Sequence, residues 1–326
     1  MAAPSPYQKT YRSDYALTGM KLGVEAHRLS IQYGWIKDVY DHPNFLPESI
    51  ELAKVNRIID VACGTGEWVR DLARLPCIRQ RFTPAEIYAC DLSFNSVQLT
   101  KRELDSLGVK LFHQDMTKPF PAEMHSTFDL VHASILAYCL TQEGWKVVLN
   151  NLSKLLRPGG YMFLMEFDNS FAFPTLPYPP VGHPHDFKRM MVGNSTAHMI
   201  NSIYTGISTQ RGFLGGLSYQ LGPLLTSIGL DIVSSLVVDL PMGNLCSSTR
   251  SLRGANLCHQ SEKGVEDAML VLDCYSKAMM ERGSLECPVG VSIHSEAERG
   301  AMLARFEKVL REGALVRTCE WVGMKP

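Results

Sequence analysis

Between Asn56 and Asp168, short runs rich in Ile, Val, Leu, Tyr and Phe alternate with longer stretches whose apolar positions recur every three or four residues. That alternation predicts strand–helix–strand units and a parallel sheet. The predicted strands cover 57–62, 86–90, 109–113, 128–133 and 161–167. Trp145, Val148, Leu149, Leu152, Leu155 and Leu156 share one helical face, and Arg157-Pro158-Gly159-Gly160 ends that helix. Ser93 stands where it caps a helix carrying Val97, Leu104 and Leu107, which Gly108 closes. Five prolines between Pro174 and Pro184 predict a loop after Asp168. From 187 to 225, apolar clusters interrupted by glycines predict one or two short helices in an insertion. A sixth strand follows over 231–240, then helices over about 265–281 and 296–311, and the closing TCEWVGMKP completes the sheet as a seventh strand.

Composition narrows the function classes. The 326 residues suffice for one large domain or two, with 45% apolar, 20% charged and a net charge of −1. That balance gives no broad attraction to nucleic acid or anionic membranes, and no apolar run approaches the roughly 20 residues of a membrane span. The N-terminus lacks a secretory layout, so a cytoplasmic location is expected. Nine scattered cysteines without a CxxC pair suit reduced packing thiols. His183, His185 and Asp186 invite a metal reading, but the sequence points to no further ligand, and no metal is expected.

The candidate chemistry begins at IIDVACGTGEW (58–68), where a buried strand breaks into a glycine-bearing turn and opens a helix. Such a turn lets a ligand lie against bare backbone N–H groups at the carboxyl edge of a parallel sheet. Val69 occupies the place where a dinucleotide fingerprint needs its third glycine, and GxxxxGK[ST] is absent. What remains is a ligand with an adenosine but no phosphate. The next strand ends in Asp91-Leu92, where a carboxylate accepts both ribose hydroxyls, and the one after ends in Asp115-Met116, a second acid suited to an adenine amino group.

The ordered set IIDVACGTGEW, ACDLS, HQDM, FDLVHASIL and LLRPGGYMFLMEFD resembles the class I S-adenosylmethionine-dependent methyltransferases over about 56–168. EAHRLSIQYGWIKDVYD, LLTSIGLDIVSSLVVDLPMG and WVGMKP look like the fungal secondary-metabolite branch, which includes small-molecule methyltransferases and related regulators. The resemblance implies an α/β fold with a Rossmann-like, seven-stranded, mostly parallel sheet and helices on both faces. An N-terminal helical lid (1–55) would precede the cofactor-binding core (56–168), followed by a helical insertion capping the substrate (169–225) and a C-terminal part completing the sheet (226–326). S-adenosyl-L-methionine would be the cofactor. Asp60, Ala62, Gly64 and Gly66 would hold its methionine portion, Asp91 with Leu92 the ribose, and Asp115 with Met116 the adenine. His132, Ala133 and Ser134 would line the floor. Glycine is usual in the family where Ala62 stands.

Tyr33 and Trp35 on the lid helix would face the sulfonium or pack on the sheet edge, and Arg28 and Gln32 would touch the cofactor carboxylate or solvent. Methyl transfer needs alignment above all, so a base is optional; His132, then Glu166, are best placed for one. Tyr11, Tyr15, Tyr138, Phe171, Phe173, His198 and Tyr204 would line an aromatic acceptor pocket for a small hydrophobic molecule, with neither nucleic acid nor membrane as partner. The leading expectation is an O- or N-methyltransferase of a natural product. A cyclase that keeps the fold but transfers nothing, or a non-catalytic regulator, stays open.

Overall fold

The computed structural model of the protein describes residues 17, 20–80, 85–281, 286–287 and 291–326. Helix α1 (Leu22–Tyr40) precedes β1 (Arg57–Val61), whose Ile58, Ile59 and Val61 are fully buried. The chain continues through α2 (Glu67–Arg74), α3 (Pro76–Arg79), β2 (Glu86–Asp91), α4 (Lys101–Ser106) and β3 (Lys110–His113). It crosses to β4 (Phe128–Ser134), α5 (Gln142–Leu155) and β5 (Leu156–Ala172). Helices α6 (Phe187–Met191), α7 (Thr196–Gln210) and α8 (Leu217–Ser227) come next, then β6 (Asp231–Met242) and α9 (Ser261–Glu281). A two-residue hairpin, β7 (Glu286–Cys287) and β8 (Val291–Ser292), leads to α10 (Glu296–Glu312) and β9 (Ala314–Met324).

Seven strands form one sheet in the order β3-β2-β1-β4-β5-β9-β6, and only β9 runs against the others. The chain moves outward from β1 to β3 and then jumps back to β4, so the switch point lies between β1 and β4. A crevice opens at such a point at the carboxyl ends of the strands. Side chains alternate across the sheet. Ile58, Leu130, Phe163 and Val322 pack with Trp68 and Leu72 of α2 on one face. Ile59, Val131, Met162 and Leu164 pack with α5 on the other.

Helix α5 forms where the spacing predicts it. Thr141 caps it by accepting the Gly144 N–H, and Trp145, Val148, Leu149, Leu152 and Leu155 are fully buried, each contributing roughly 1.5–3 kcal/mol. The Pro-Gly turn after it is folded into the sheet: Phe128 pairs with Leu156 and Leu130 with Tyr161, the intervening residues bulging out. Gly160 is required there, since a Cβ would stand 2.8 Å from the Phe128 carbonyl.

Three sequence expectations are corrected. Ser93 caps no helix; its N–H donates to Asp91, and the segment beyond is a 3-10 turn followed by α4. Strand β5 continues past Phe167 to Ala172, because Asn201 of α7 bonds both polar groups of the Phe171 backbone (2.7 and 2.9 Å) and Thr205 reaches the Asn169 carbonyl. The stretch 187–225 is three helices, and α7 is buried along most of its length. The His-Pro-His-Asp residues diverge: His185 is buried on Asp168 (2.6 Å), Asp186 caps α6, and His183 is exposed. No helix among the described residues is long and apolar enough to cross a membrane.

Candidate active site

A cavity of about 1630 Å³ occupies the switch point, roofed by α1. Its floor is made where the carboxyl ends of β1, β2, β3 and β4 meet. After β1 the backbone turns left-handed at Ala62 (φ 56°), Gly64 (φ 56°) and Gly66 (φ 75°). At Gly66 a side chain would also meet Leu104 at 2.8 Å, so this glycine serves the close packing of turn and helix. Ala62 thus holds a conformation that disfavours residues with a Cβ.

Asp91 stands at the end of β2 on the cavity wall. One carboxylate oxygen accepts the Gly64 N–H (3.0 Å) and the other the Ser93 N–H (2.9 Å), so the acid ties the first loop to the second. Each oxygen retains a lone pair for a ligand. Loss of water pushes this carboxyl up to about 6; the Ser93 and Gly64 N–H groups oppose the rise and Asp60 adds to it. Asp115, at the end of β3, accepts the Thr117 N–H and hydroxyl (2.9 and 2.6 Å). Asn151 of α5 donates to the Met116 and Lys118 carbonyls and holds that loop. Phe94 and His113, rings 4.0 Å apart, complete this end of the cavity.

The other end is built around His132 of β4. Its Nδ1 lies 2.7 Å from Asp60 Oδ1, and both side chains are buried. A carboxylate only accepts here, so Nδ1 carries the proton and Nε2 is left as an acceptor. Nε2 has no hydrogen-bond partner among the described residues. Trp68 stacks on the imidazole (centroids 3.6 Å apart, planes 17° apart), and Phe163 lies against it at 5.1 Å. The Trp68 indole N–H donates in turn to the Phe45 carbonyl.

Of the residues singled out from sequence, Tyr33, Ala62, Gly64, Asp91, Leu92, Asp115, Met116, His132 and Ser134 share the cavity wall. Asp60 lies beneath it behind His132, Gly66 supports the turn, and Ala133 belongs to the core on the opposite face. Tyr33 donates its hydroxyl to Asp71 (2.9 Å), and burial followed by that acid pushes the phenol well above its ordinary range. Trp35 is core, its N–H on the Pro241 carbonyl. Arg28 is buried between Glu25 and Asp267, both at 2.9 Å, while Gln32 reaches the wall. Tyr138, Phe171 and Tyr204 join Tyr275 in a buried aromatic cluster behind the wall, with Phe173 against Phe171. His198 sits at the start of α7 on Ser195 (2.7 Å), and Tyr11 and Tyr15 lie outside the described residues.

Glu166 is fully buried and is not on the wall. Its two oxygens accept the Leu136 and Ala137 N–H groups (2.8 and 3.0 Å), which fixes the loop after β4, where Ile135 is left-handed. Burial pushes its carboxyl up to about 8 against the pull of these N–H donors. Its place is structural support for the wall. Glu166→Ala leaves two buried donors unmatched and is expected to cost roughly 2–3 kcal/mol, read from urea unfolding. Sequence reasoning missed Trp68, Phe163, Phe94, His42 and Glu320, all on the wall. Trp68 alone carried a signal, as the residue opening the helix after the glycine turn.

A parallel sheet with its crevice at this switch point, two acids on successive rims and a glycine turn is the layout of a ligand-binding α/β site. Residues 58–160 match the family described as "Methyltransferase domain". The chain is similar to the N-methyltransferase sirN of Leptosphaeria maculans, 26% identical over 76% of this chain and 75% of that protein. It is similar to the methyltransferase psoC of Aspergillus fumigatus, 29% identical over 57% of this chain and 58% of that protein, and to the methyltransferase grgD of Penicillium sp, 26% identical over 52% and 56%. The chain thus spans little more than half the length of the latter two. Residues 58–160 thus carry a methyltransferase domain, and the likeness of the chain is to fungal methyltransferases. S-adenosylmethionine is the cofactor. The residues fit it: the Asp91 oxygens keep free lone pairs at the rim, bare backbone flanks Gly64, and the cavity exceeds the usual 300–1,000 Å³ of a single-ligand site.

Proposed function

We propose that this methyltransferase acts on an oxygen or nitrogen of a small hydrophobic, aromatic molecule, with His132 as the base that takes the acceptor's proton. The observation that carries the reading is His132 on the cavity wall beside Trp68, Phe163 and Met165, its Nε2 without a hydrogen-bond partner among the described residues. When bound, the cofactor supplies an electrophilic methyl group on a sulfonium. Asp60 keeps the imidazole proton on Nδ1, the two aromatic rings fix the plane of the ring, and Nε2 receives the proton as the acceptor becomes nucleophilic. Asp91 would accept the ribose hydroxyls, Asp115 with the Met116 backbone would meet the adenine, and the turn at Ala62 and Gly64 would take the methionine portion.

Incubation with methyl-labelled cofactor and a panel of phenols and aromatic amines tests the reading. Label recovered in an acceptor supports it. An acceptor isomerised at unchanged mass with cofactor intact contradicts it and supports a cyclase.

The role given to Asp91 has a pH signature. Ribose hydroxyls donate to the ionised form, so ligand binding favours loss of the proton, and protonation below about 6 competes with the ligand. Affinity for S-adenosylhomocysteine is therefore expected to fall as pH falls through 6, being about tenfold weaker at pH 5 than at pH 7 by calorimetry.

A further inference from the structure

The acceptor end of the cavity reaches a second histidine–carboxylate pair that the proposed chemistry leaves unused. Ser134, Met165 and Glu320 occupy neighbouring register positions on β4, β5 and β9, so they project from one face of the sheet, the face that also carries His132. Glu320 is 3% exposed and lines the cavity. His42, just beyond α1, sets its Nε2 against both carboxylate oxygens at 3.0 and 2.8 Å. One N–H is thus shared between two oxygens, and no other hydrogen bond to this carboxylate is seen among the described residues. A carboxylate offers about four lone-pair positions, and burying it with so few filled is costly. Burial does raise the Glu320 carboxyl above its ordinary range, with His42 opposing.

The same pair also bounds a smaller cavity of about 340 Å³ on its far side, which shares Tyr40, His42 and Glu320 with the main one. Glu320 therefore borders both cavities, and among the described residues its carboxylate has one side-chain donor, His42. Two strand spacings and two residue steps separate the Cα atoms of His132 and Glu320 by roughly 12 Å, the length of a small polycyclic molecule.

We propose that Glu320, steadied by His42, is a specificity-determining anchor for a protonated amine borne by the acceptor, on the side of the cavity remote from His132. The proposal rests on the methyltransferase reading of this cavity. An aromatic body lies along Phe163 and Met165, its ammonium group fills the open lone pairs of Glu320, and the atom to be methylated is turned towards His132. A carboxylate-bearing acceptor of the same shape is repelled.

The test uses protein saturated with S-adenosylhomocysteine and three probes of one shape: tryptamine (ammonium), 3-propylindole (neutral) and indole-3-acetate (anionic), each titrated by calorimetry. Tryptamine is expected to bind at least about tenfold more tightly than 3-propylindole, with indole-3-acetate weakest. Glu320→Gln is expected to abolish the ranking while S-adenosylhomocysteine still binds. His42→Asn, which keeps the carboxylate and removes its internal donor, is expected to keep the ranking or widen it, and it decides the matter should the Gln variant not fold. Equal binding of tryptamine and 3-propylindole to the wild type, a ranking that survives Glu320→Gln, or one lost in His42→Asn overturns the proposal. Failure of the wild type to bind S-adenosylhomocysteine counts against the methyltransferase reading; binding of it with no ranking among the probes counts against this anchor alone.

Discussion

His132→Gln is expected to lower kcat by about 10²–10⁴-fold while leaving the affinity for S-adenosylhomocysteine within about threefold. Nε2 has no hydrogen-bond partner among the described residues, and its ring is held in place: Trp68 is stacked on it and Asp60 holds its other nitrogen. Glutamine keeps polar volume but has no lone pair of comparable basicity there, so binding survives and proton removal does not. Asp60→Asn should reproduce much of the loss, because an amide can present its own N–H to Nδ1 and send the ring proton to Nε2, the wrong tautomer for a base. Unchanged kcat in both variants would mean that the acceptor arrives already nucleophilic and that the pair only builds the wall.

Asp91→Ala is expected to weaken S-adenosylhomocysteine binding by about 10²–10³-fold, the loss of two hydrogen bonds to a charged group. Part of the loss is indirect. The same carboxylate accepts the Gly64 and Ser93 N–H groups, so its removal loosens both loops that flank the ligand. Calorimetry on the variant, with circular dichroism to verify the fold, gives the number. Retained affinity would remove Asp91 from the ribose site and with it the expected weakening of binding at low pH.

The legible part of this protein is the part whose signals are local. Strands β1 to β4 are short apolar runs that end in the residues now found on the cavity rim, and α5 buries five of the six side chains its spacing picked out, the sixth, Leu156, opening β5. The rest depends on partners far along the chain. The continuation of β5 rests on Asn201 and Thr205, about thirty residues on, and a Pro-rich stretch nearby reads more naturally as loop. His42 and Glu320 meet across 278 positions, which no spacing rule reaches. Aromatic residues in a helical insertion look like a substrate lining until α7 packs onto β5, which carries Phe171 and Tyr204 behind the wall into one cluster with Tyr138. Glu166 shows the same limit: a carboxylate at a strand's end suggests a base, and only the fold reveals that two backbone N–H groups have taken both of its oxygens.

The most direct test of the account is a crystal structure grown with S-adenosylhomocysteine. The expected result is a ribose with both hydroxyls on Asp91, adenine beside Asp115, and sulfur facing the part of the cavity that His132 borders. A nucleoside bound elsewhere, or one whose sulfur points away from His132, would contradict it.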